Sequence, residues 1–380
     1  MKSKRTIHTI FPNFYNETWV SYTVKSILTR MESSDFEHQL YVLSKGKNTT
    51  FKNIKSLLPT LFLRYTSGFF ESKHQLKAGR IIANRNMSKM KAGDIAYFWL
   101  NNPPDVCMKL KSKGVLVVRE MINCTMATRK KELSKAYEAF GKTNNLDTTD
   151  DDIEYEKQQL LSADLIFCSS DQVLQSVLEY GVEPNKCAKI GYGWDQNRFN
   201  AFPELPPKND GLNALFVGTV DVRKGAPTLF DAWEKANIKG CLKLAGRIDS
   251  EVREKYVNFL KRPDVIELGH VTELESVYRS SDVFCFLSWE EGCPLVTLEA
   301  IGCGLPCIVT PMGSAGAVKN LNGALMVSPG DINATVETLK TLANDKELLK
   351  TLSQQAQSNS YAFTWENAGK ARIKAIESLL

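Results

Sequence analysis

Residues 288–311 read S-W-E-E-G-C-P-L-V-T-L-E-A-I-G-C-G-L-P-C-I-V-T-P. An apolar run, 283–287, leads into this stretch as a buried strand would, and Glu290, Glu291 and Gly292 break the run. Pro294 suits the first turn of a helix, where its missing N–H has no partner to lose. Residues 295–301 are apolar apart from Thr297 and Glu299, the pattern of a helix laid on a sheet, and Gly302 and Gly304 supply its stop. Residues 307–310 then read as the next buried strand. The unit is strand–loop–helix–strand, and the loop ahead of its helix is where an open α/β sheet binds anions.

Two carboxylates frame that loop, Glu291 before the helix and Glu299 inside it, eight residues on. On one ideal helix they would lie about 80° apart in azimuth and roughly 12 Å apart along the axis. With Glu291 in the loop, the spacing suits one extended ligand touched at two places better than an acid/base pair acting on one bond.

These residues resemble the E-x7-E motif of the retaining glycosyltransferases of family 4. The usual form there is E-G-[FC]-[GP]-x-x-x-L-E-A followed by G-x-P-V-V; this chain has E-G-C-P-L-V-T-L-E-A (291–300) and G-L-P-C-I (304–308). The resemblance implies an α/β protein of GT-B fold, two Rossmann-like domains with parallel sheets facing across a cleft, and a nucleotide-diphospho-sugar as donor. It implies that Glu299 binds the ribose hydroxyls. Glu291, with the backbone of Gly292, Cys293, Pro294 and Leu295, would hold the sugar, and the helix start at Pro294–Val296 would face the diphosphate.

Length and composition are compatible with this. A chain of 380 residues favours two domains, and 43% hydrophobic with 24% charged residues is ordinary for a globular protein. No apolar run reaches 18 residues, so no spanning helix is expected. The start, M-K-S-K-R-T-I-H-T-I-F-P, reads as a first strand rather than a signal peptide. Nine cysteines, several in apolar runs (Cys107, Cys168, Cys285, Cys307), read as small core residues in a reducing cytoplasm. Cys303 and Cys307 lie four apart, but no second Cys/His cluster supports a metal, and the four histidines are scattered.

Charge is uneven. Residues 1–91 hold sixteen Lys/Arg against five Asp/Glu, a net of +11 in a chain of +5. Such asymmetry fits a face for anionic lipid or a phosphorylated acceptor, or equally a solvated basic surface. No nucleic-acid motif accompanies it. Glu71–Lys91 carries six cations against one glutamate, and Lys73, Lys77 and Arg80 follow helical spacing on one face.

In the first half, residues 5–12 start a strand and Asn16 caps a helix through about Met31. Further strands are expected at 38–44, 60–66, 94–100, 114–119, 164–169 and 187–192, with helices at 71–91, 129–141 and 151–163. This alternation argues for a parallel sheet. The polar stretch 141–152 reads as a surface loop leading to a helix over 152–162. The loop 11–18, F-P-N-F-Y-N-E-T, stands where members of the resembling family often have a Gly-Gly pair near the donor phosphates. Where many of those relatives place a histidine near the acceptor, this chain has Arg119, Glu120 and Asn123. With Asn16, these three are the acceptor-side candidates; a purely structural Arg119–Glu120 contact is the equal alternative.

The segments A-D-L-I-F-C-S-S (163–170) and K-I-G-Y-G-W-D-Q-N-R-F (189–199) are also similar to the family's, and Asp195 is a candidate cap. The Pro-rich stretch 201–211 is a linker by composition. Residues 212–233 open the second half with a strand to Val217, a glycine-containing loop and a helix from about 226. The G-x-G-x-x-G fingerprint is missing, which disfavours a nicotinamide cofactor. Arg223 and Lys224 beside Gly225 suit a diphosphate. The family's G-R-L-x-x-x-K-G is matched at Gly218, Lys224 and Gly225, with Thr219 where arginine is usual. Strands at 241–246 and 264–268 follow. Gly269–Val271 is expected near the nucleotide base, with His270 and Val271 in that loop, and Thr272 is expected to cap a helix over 273–280. Gly313 matches a family Gly-Gly loop, and Gly316 replaces its glutamate. The tail from Asp331 is amphipathic and helical, and 361–373 resembles the family's last helix, which crosses back onto the N-terminal domain.

The resulting expectation is an acceptor domain at 1–202, a donor domain at 203–361 and a returning helix at 362–380. The expected activity is retaining glycosyl transfer from a nucleotide-diphospho-sugar to a glycan or lipid-linked acceptor in cell-surface polysaccharide synthesis. Arg223, Lys224 and Glu291 carry it, without metal or other cofactor, on a cytoplasmic protein peripheral to an anionic membrane surface. Two alternatives stay open: a non-catalytic partner subunit, and a sugar-nucleotide epimerase, for which no acid/base pair is visible.

Overall fold

A computed structural model of the chain describes residues 4–31, 33–59, 72–144, 146–199, 210–320 and 322–380. It divides into two units, one of residues 1–126, 148–192 and 365–380, the other of 127–147 and 193–364.

The first unit is built on seven parallel strands: β1 (Arg5–Tyr15), β2 (Phe36–Lys45), β3 (Ile54–Ser56), β4 (Ile95–Trp99), β5 (Leu116–Met121), β6 (Leu165–Cys168) and β7 (Cys187–Lys189). Their order is β3-β2-β1-β4-β5-β6-β7. Every residue of β4, I-A-Y-F-W, is buried, as expected for a strand covered on both faces by crossover helices. Those helices are α1 (Trp19–Leu28), α2 (Ser72–Asn86), α3 (Pro104–Ser112), α5 (Asp150–Leu161) and α6 (Asp171–Leu178), with α4 (Met126–Phe140) lying between α3 and α5 in the chain. By its contacts α4 belongs to the second unit: the Tyr137 hydroxyl donates to Glu251 Oε1 (2.8 Å) and Lys255 Nζ donates to the Phe140 carbonyl (2.7 Å).

In the second unit the strands are β8 (Leu212–Val217), β9 (Gly240–Ala245), β10 (Val265–Gly269), β11 (Val283–Phe286), β12 (Cys307–Val309), β13 (Lys319–Asn320) and β14 (Gly323–Met326). They form a second parallel sheet in the order β10-β9-β8-β11-β12-β14-β13. Its helices are α7 (Gln196–Phe199), α8 (Ala226–Ala236), α9 (Ser250–Lys255), α10 (Leu274–Arg279), α11 (Leu295–Gly302), α12 (Ile332–Asn344) and α13 (Lys346–Ser360). A final helix, α14 (Trp365–Glu377), returns to the first unit.

In the first sheet the strand order reverses between β1 and β4, and in the second between β8 and β11. Loops leaving the two strands of such a pair part to opposite sides and open a crevice at the carboxyl ends of the strands.

Several local expectations need correction. The strands β3, β13 and β14 are too short to show a hydrophobic period. Helix α3 follows the Pro103-Pro104 pair and buries Val106, Cys107 and Leu110, a face that a nine-residue helix shows only weakly in sequence. The cap of α1 is Thr18, with Asn16 two residues outside it. Helix α5 starts at Asp150, because Thr149 Oγ1 accepts from the Asp152 N–H (3.2 Å) while the Asp152 carboxylate accepts from the Thr149 N–H (3.0 Å). Thr272 caps nothing; α10 starts after Glu273 without a side-chain cap. Asp195 does cap, its Oδ1 accepting from the N–H groups of Asn197 and Arg198 (3.1 and 3.4 Å). The basic helix expected at 71–91 is α2 followed by a 3-10 turn, Met87–Lys89. Of its one-face cations, Lys77 is exposed and Arg80 is paired with Asp105 at 2.7 Å. The Lys73 side chain, the strand expected at 60–66 and the linker through 209 lie outside the described residues.

None of the nine cysteines forms a disulfide; seven are buried and two half-buried, in keeping with small core side chains. Among the described residues no helix is long and apolar enough to cross a membrane, and no three His, Cys, Asp or Glu gather as metal ligands.

Candidate functional site

The crevice of the second unit lies between the β8–α8 and β11–α11 loops, and Arg223, Lys224 and Glu291 sit in them, with Glu299 inside α11. Backbone freedom makes the first loop possible. Gly225 caps α8 in the left-handed region (φ 73°), and a Cβ there would stand 2.0 Å from the Leu287 carbonyl oxygen. The two loops therefore touch backbone to backbone. Arg223 reinforces this, its carbonyl accepting from the Trp289 N–H (2.9 Å) and from Ser288 Oγ (3.1 Å). Gly218 (φ 128°) leads out of β8, and a Cβ on it would meet Lys224 Nζ at 2.9 Å. Half-buried Thr219 follows it.

Charge converges on Glu291. Arg223 Nη1 lies 2.9 Å and Lys224 Nζ 3.6 Å from Glu291 Oε1, while the same Nη1 donates to the Glu290 carbonyl (2.8 Å) and stands 3.4 Å from Glu290 Oε2. Burial works against the Arg223 charge, but the carboxylates of Glu291 and Glu290 more than offset it and hold its pKa above the usual value. Lys224 Nζ also stands over the Phe286 ring, 5.4 Å from its centroid, and Asp221 Oδ1 fixes the turn by accepting from the Lys224 N–H (2.8 Å). The cations therefore sit pre-placed at the mouth of a parallel sheet, held by the Glu291 carboxylate.

Past Glu291, the buried residues Gly292, Cys293 and Pro294 bring the chain to the start of α11, with Pro294 one place earlier than expected, at the cap itself. Leu295 and Val296, half-buried, form its first turn. Thr297 ties that turn to the β12 loop through its hydroxyl on the Gly313 carbonyl (2.7 Å). Further along the helix stands Glu299, its side chain 13% exposed. Burial pushes its pKa up to about 7 despite the Arg198 guanidinium (Nη1–Oε1 3.8 Å) and a hydrogen bond from the Tyr278 hydroxyl (3.1 Å). His270 is exposed and Val271 half-buried, just beyond the carboxyl end of β10. All the donor-side candidates thus lie at one edge of one sheet.

The acceptor-side candidates fare differently. Arg119 and Glu120 are neighbours on β5 and point to opposite faces of a sheet covered on both sides, so both are buried, at 4% and 1% exposure. Glu120 is ion-paired with Arg372 (2.7 Å) and accepts the Tyr97 hydroxyl. Burial lowers the Arg119 pKa to about 10, with the Glu156 carboxylate opposing. Both therefore stand inside the first unit and not on an exposed face, Glu120 as one half of a buried ion pair. Asn123, past the strand end, is exposed, as is Asn16. The Asn16 carboxamide oxygen accepts from the Thr18 N–H and hydroxyl (3.3 and 2.7 Å) and from Ser21 Oγ (3.0 Å), so it organises the start of α1.

Three features escaped the sequence reading. Glu290, 1% exposed, is buried beside Arg223, and burial raises its pKa; the doubled glutamate was its only signal. Arg198, read as part of a closing segment, joins Glu275 (2.6 Å) to Glu299. In the β1–α1 loop, where a Gly-Gly pair was absent, Glu17 (φ 60°) and Trp19 (φ 52°) adopt the left-handed conformation that glycine takes freely. Glu17 is held there by Lys25 (2.6 Å) and the Phe51 N–H (3.1 Å), and it presents Trp19 86% exposed.

The sequence is 26% identical over 216 residues to the capsular polysaccharide biosynthesis glycosyltransferase CapM of Staphylococcus aureus, a match covering 50% of this chain and 57% of that protein. The chain spans about half the length of the curated relatives it matches. Among solved structures it is similar to sucrose-phosphate synthase from Thermosynechococcus elongatus, with a TM-score of 0.75, 18% identity and 99% of both chains covered. It is also similar to Anabaena HepE in complex with UDP and glucose, with a TM-score of 0.71 and 12% identity over 99% of this chain and 100% of that one. At these identities the likeness shows the fold, which is GT-B as expected. The family model of glycosyl transferases group 1 matches residues 211–345, the segment that holds Arg223, Lys224, Glu291 and Glu299.

Proposed function

We propose that this protein transfers a sugar from a nucleotide-diphospho-sugar to a glycan or lipid-linked acceptor, with retention at the anomeric carbon, in cell-surface polysaccharide synthesis. The observation that carries this reading is the meeting of Arg223 and Lys224 on Glu291 at the strand-order reversal of the second sheet. A donor diphosphate takes the two cations, and Glu291, released from them, turns to the sugar. As the bond between the anomeric carbon and the diphosphate oxygen breaks, negative charge grows on the leaving group, which is where the cations act. The start of α11 adds about 0.3–2 kcal/mol. The acceptor hydroxyl oxygen bonds to the same face of the anomeric carbon and gives its proton to the departing diphosphate. Glu299 accepts the ribose hydroxyls, and the backbone at Gly269–Val271 lines the base. Two side-chain cations supply the charge this step needs, so the reading calls for no metal or cofactor.

CapM, a relative, acts in capsular polysaccharide biosynthesis, and HepE, a structural neighbour, binds UDP, which puts uridine donors first in a screen. A lipid-linked acceptor places the reaction at a membrane face, and the +11 of residues 1–91 suits peripheral docking there. The test is incubation with a panel of nucleotide-sugars and candidate acceptors, following release of nucleoside diphosphate and the anomeric configuration of the product by NMR. Release with a retained anomer supports the reading. An inverted product overturns retention, and no release from any donor favours a non-catalytic partner.

A further inference from the structure

A second charged site lies in the first unit, away from the carboxyl ends of its strands. Helix α2 covers the β2–β3 side of the sheet and leaves a cavity of about 320 Å³, at the small end of the roughly 300–1,000 Å³ of ligand sites. Three cations line it: Lys55 from β3, and Arg85 and Lys89 from the end of α2 and the turn after it. Lys55 is level with Tyr41 in the parallel register, so both side chains rise from the same face of the sheet.

Among the described residues no carboxylate lines the cavity. Lys55 and Arg85 make no ion pair among the described residues, and Lys89 Nζ meets only the neutral Asn86 Oδ1 (2.9 Å). Asn86 is itself fixed by donating to the Ile82 carbonyl (2.9 Å). The carboxylate behind the wall, Asp94, is already engaged by the Thr6 and Lys91 N–H groups (2.9 and 2.8 Å) and by His8 Nε2 (3.3 Å), whose Nδ1 meets the Tyr41 hydroxyl (3.1 Å). Burial is the main cause that lowers the His8 pKa, and Lys55 and Lys89 both add to it, so the two lysines act on the same wall. Three like charges around one concavity repel one another and are relieved by a compact anion of high charge.

We propose that this cavity binds a phosphate monoester, with Arg85 as the forked donor and Lys55 and Lys89 as point charges. The same chemistry is offered by a free phosphorylated metabolite and by a lipid headgroup with a terminal phosphate. The site is independent of the donor site in the second unit, and its occupancy does not depend on glycosyl transfer.

The experiment is calorimetric titration of the full chain with inorganic phosphate and with glycerol phosphate, the donor site being blocked throughout by saturating UDP. The same titrations are run on Arg85→Ala, Arg85→Lys and Lys55→Ala/Lys89→Ala. All three side chains are exposed, so folding should be unaffected, as circular dichroism would check. Saturable binding that weakens at least tenfold in Arg85→Ala and in the double variant, and is partly kept in Arg85→Lys, supports the proposal. Co-sedimentation with phosphatidic acid and phosphatidylglycerol vesicles of matched charge then identifies the source. Preference for phosphatidic acid, competed by glycerol phosphate, points to a headgroup; binding of the soluble phosphates alone points to a metabolite. Absence of saturable binding by either phosphate, or binding unchanged in the variants, overturns the proposal. Equal loss of both vesicle types in the variants, with no phosphate titration, also overturns it and leaves diffuse electrostatic docking.

Discussion

Arg372 and Glu120, 252 residues apart, meet as a fork-to-fork ion pair in the core of the first unit, with Nη2–Oε1 at 2.7 Å, Nε–Oε2 at 3.2 Å and both side chains wholly buried. The Arg372 guanidinium also donates to the carbonyls of Ile190, Gly191 and Ala368, each at 3.1 Å. Burial opposes its charge, yet Glu120 raises its pKa above the usual value. The last helix is thus pinned to the centre of the sheet by a single polar network.

Removing one partner of that pair leaves an uncompensated buried charge. Glu120→Ala or Arg372→Ala should each cost about 3–5 kcal/mol, and Glu120→Leu with Arg372→Met together should cost less than either. Denaturant unfolding measures this. Native stability in Glu120→Ala combined with a raised acceptor KM would return Glu120 to the acceptor site.

Glu299 predicts a pH dependence. Its folded pKa of about 7 lies above the usual 4.5, so the neutral carboxyl is the favoured form in the folded chain. That contribution to stability is fully present below pH 4.5 and is lost as pH rises through about 7. The ribose needs the carboxylate as acceptor, at about 1.5–3 kcal/mol per hydrogen bond. Uridine, which carries no phosphate to confuse the titration, should therefore bind more tightly as pH rises from 5.5 to 8.5. Glu299→Gln should flatten the profile; a slope identical to wild type would mean that another group titrates.

Lys224 and Glu291 should separate binding from turnover. Lys224→Ala should lower kcat more than it raises the donor KM, because its partner charge grows in the transition state. Glu291→Gln frees Arg223 and Lys224 for phosphate, so it should bind nucleoside diphosphate at least as tightly as wild type while losing transfer. Weaker diphosphate binding in Glu291→Gln would contradict the displacement of that carboxylate by the ligand.

Gly225→Ala tests the joint between the two site loops. The added methyl would collide with the Leu287 carbonyl, and alanine at φ 73° carries a further strain of about 1–2 kcal/mol. Loss of nucleotide affinity together with a lowered melting temperature is expected. An unchanged melting temperature would show that the loops part without cost.

The sequence by itself determined the alternation of strands and helices, the two-domain pattern and where Arg223, Lys224, Glu291 and Glu299 stand in their strand–loop–helix units. Those residues fall within two short strand–loop–helix segments, 212–233 and 283–301, where local signals such as a glycine, a proline or the end of an apolar run are strong. It could not separate Arg119 and Glu120 from a ligand site, because a polar residue near a strand end looks the same whether it faces solvent or a partner 252 residues away. Nor could it pair Arg223 with Glu291, gather Arg198 and Tyr278 around Glu299, or bring Lys55 to Arg85. These meetings are set by the strand order, which places β11 beside β8 and β2 beside β1. Strand order is a property of long-range packing: each pairing is chosen by which buried faces fit together, and no local stretch of chain carries that information.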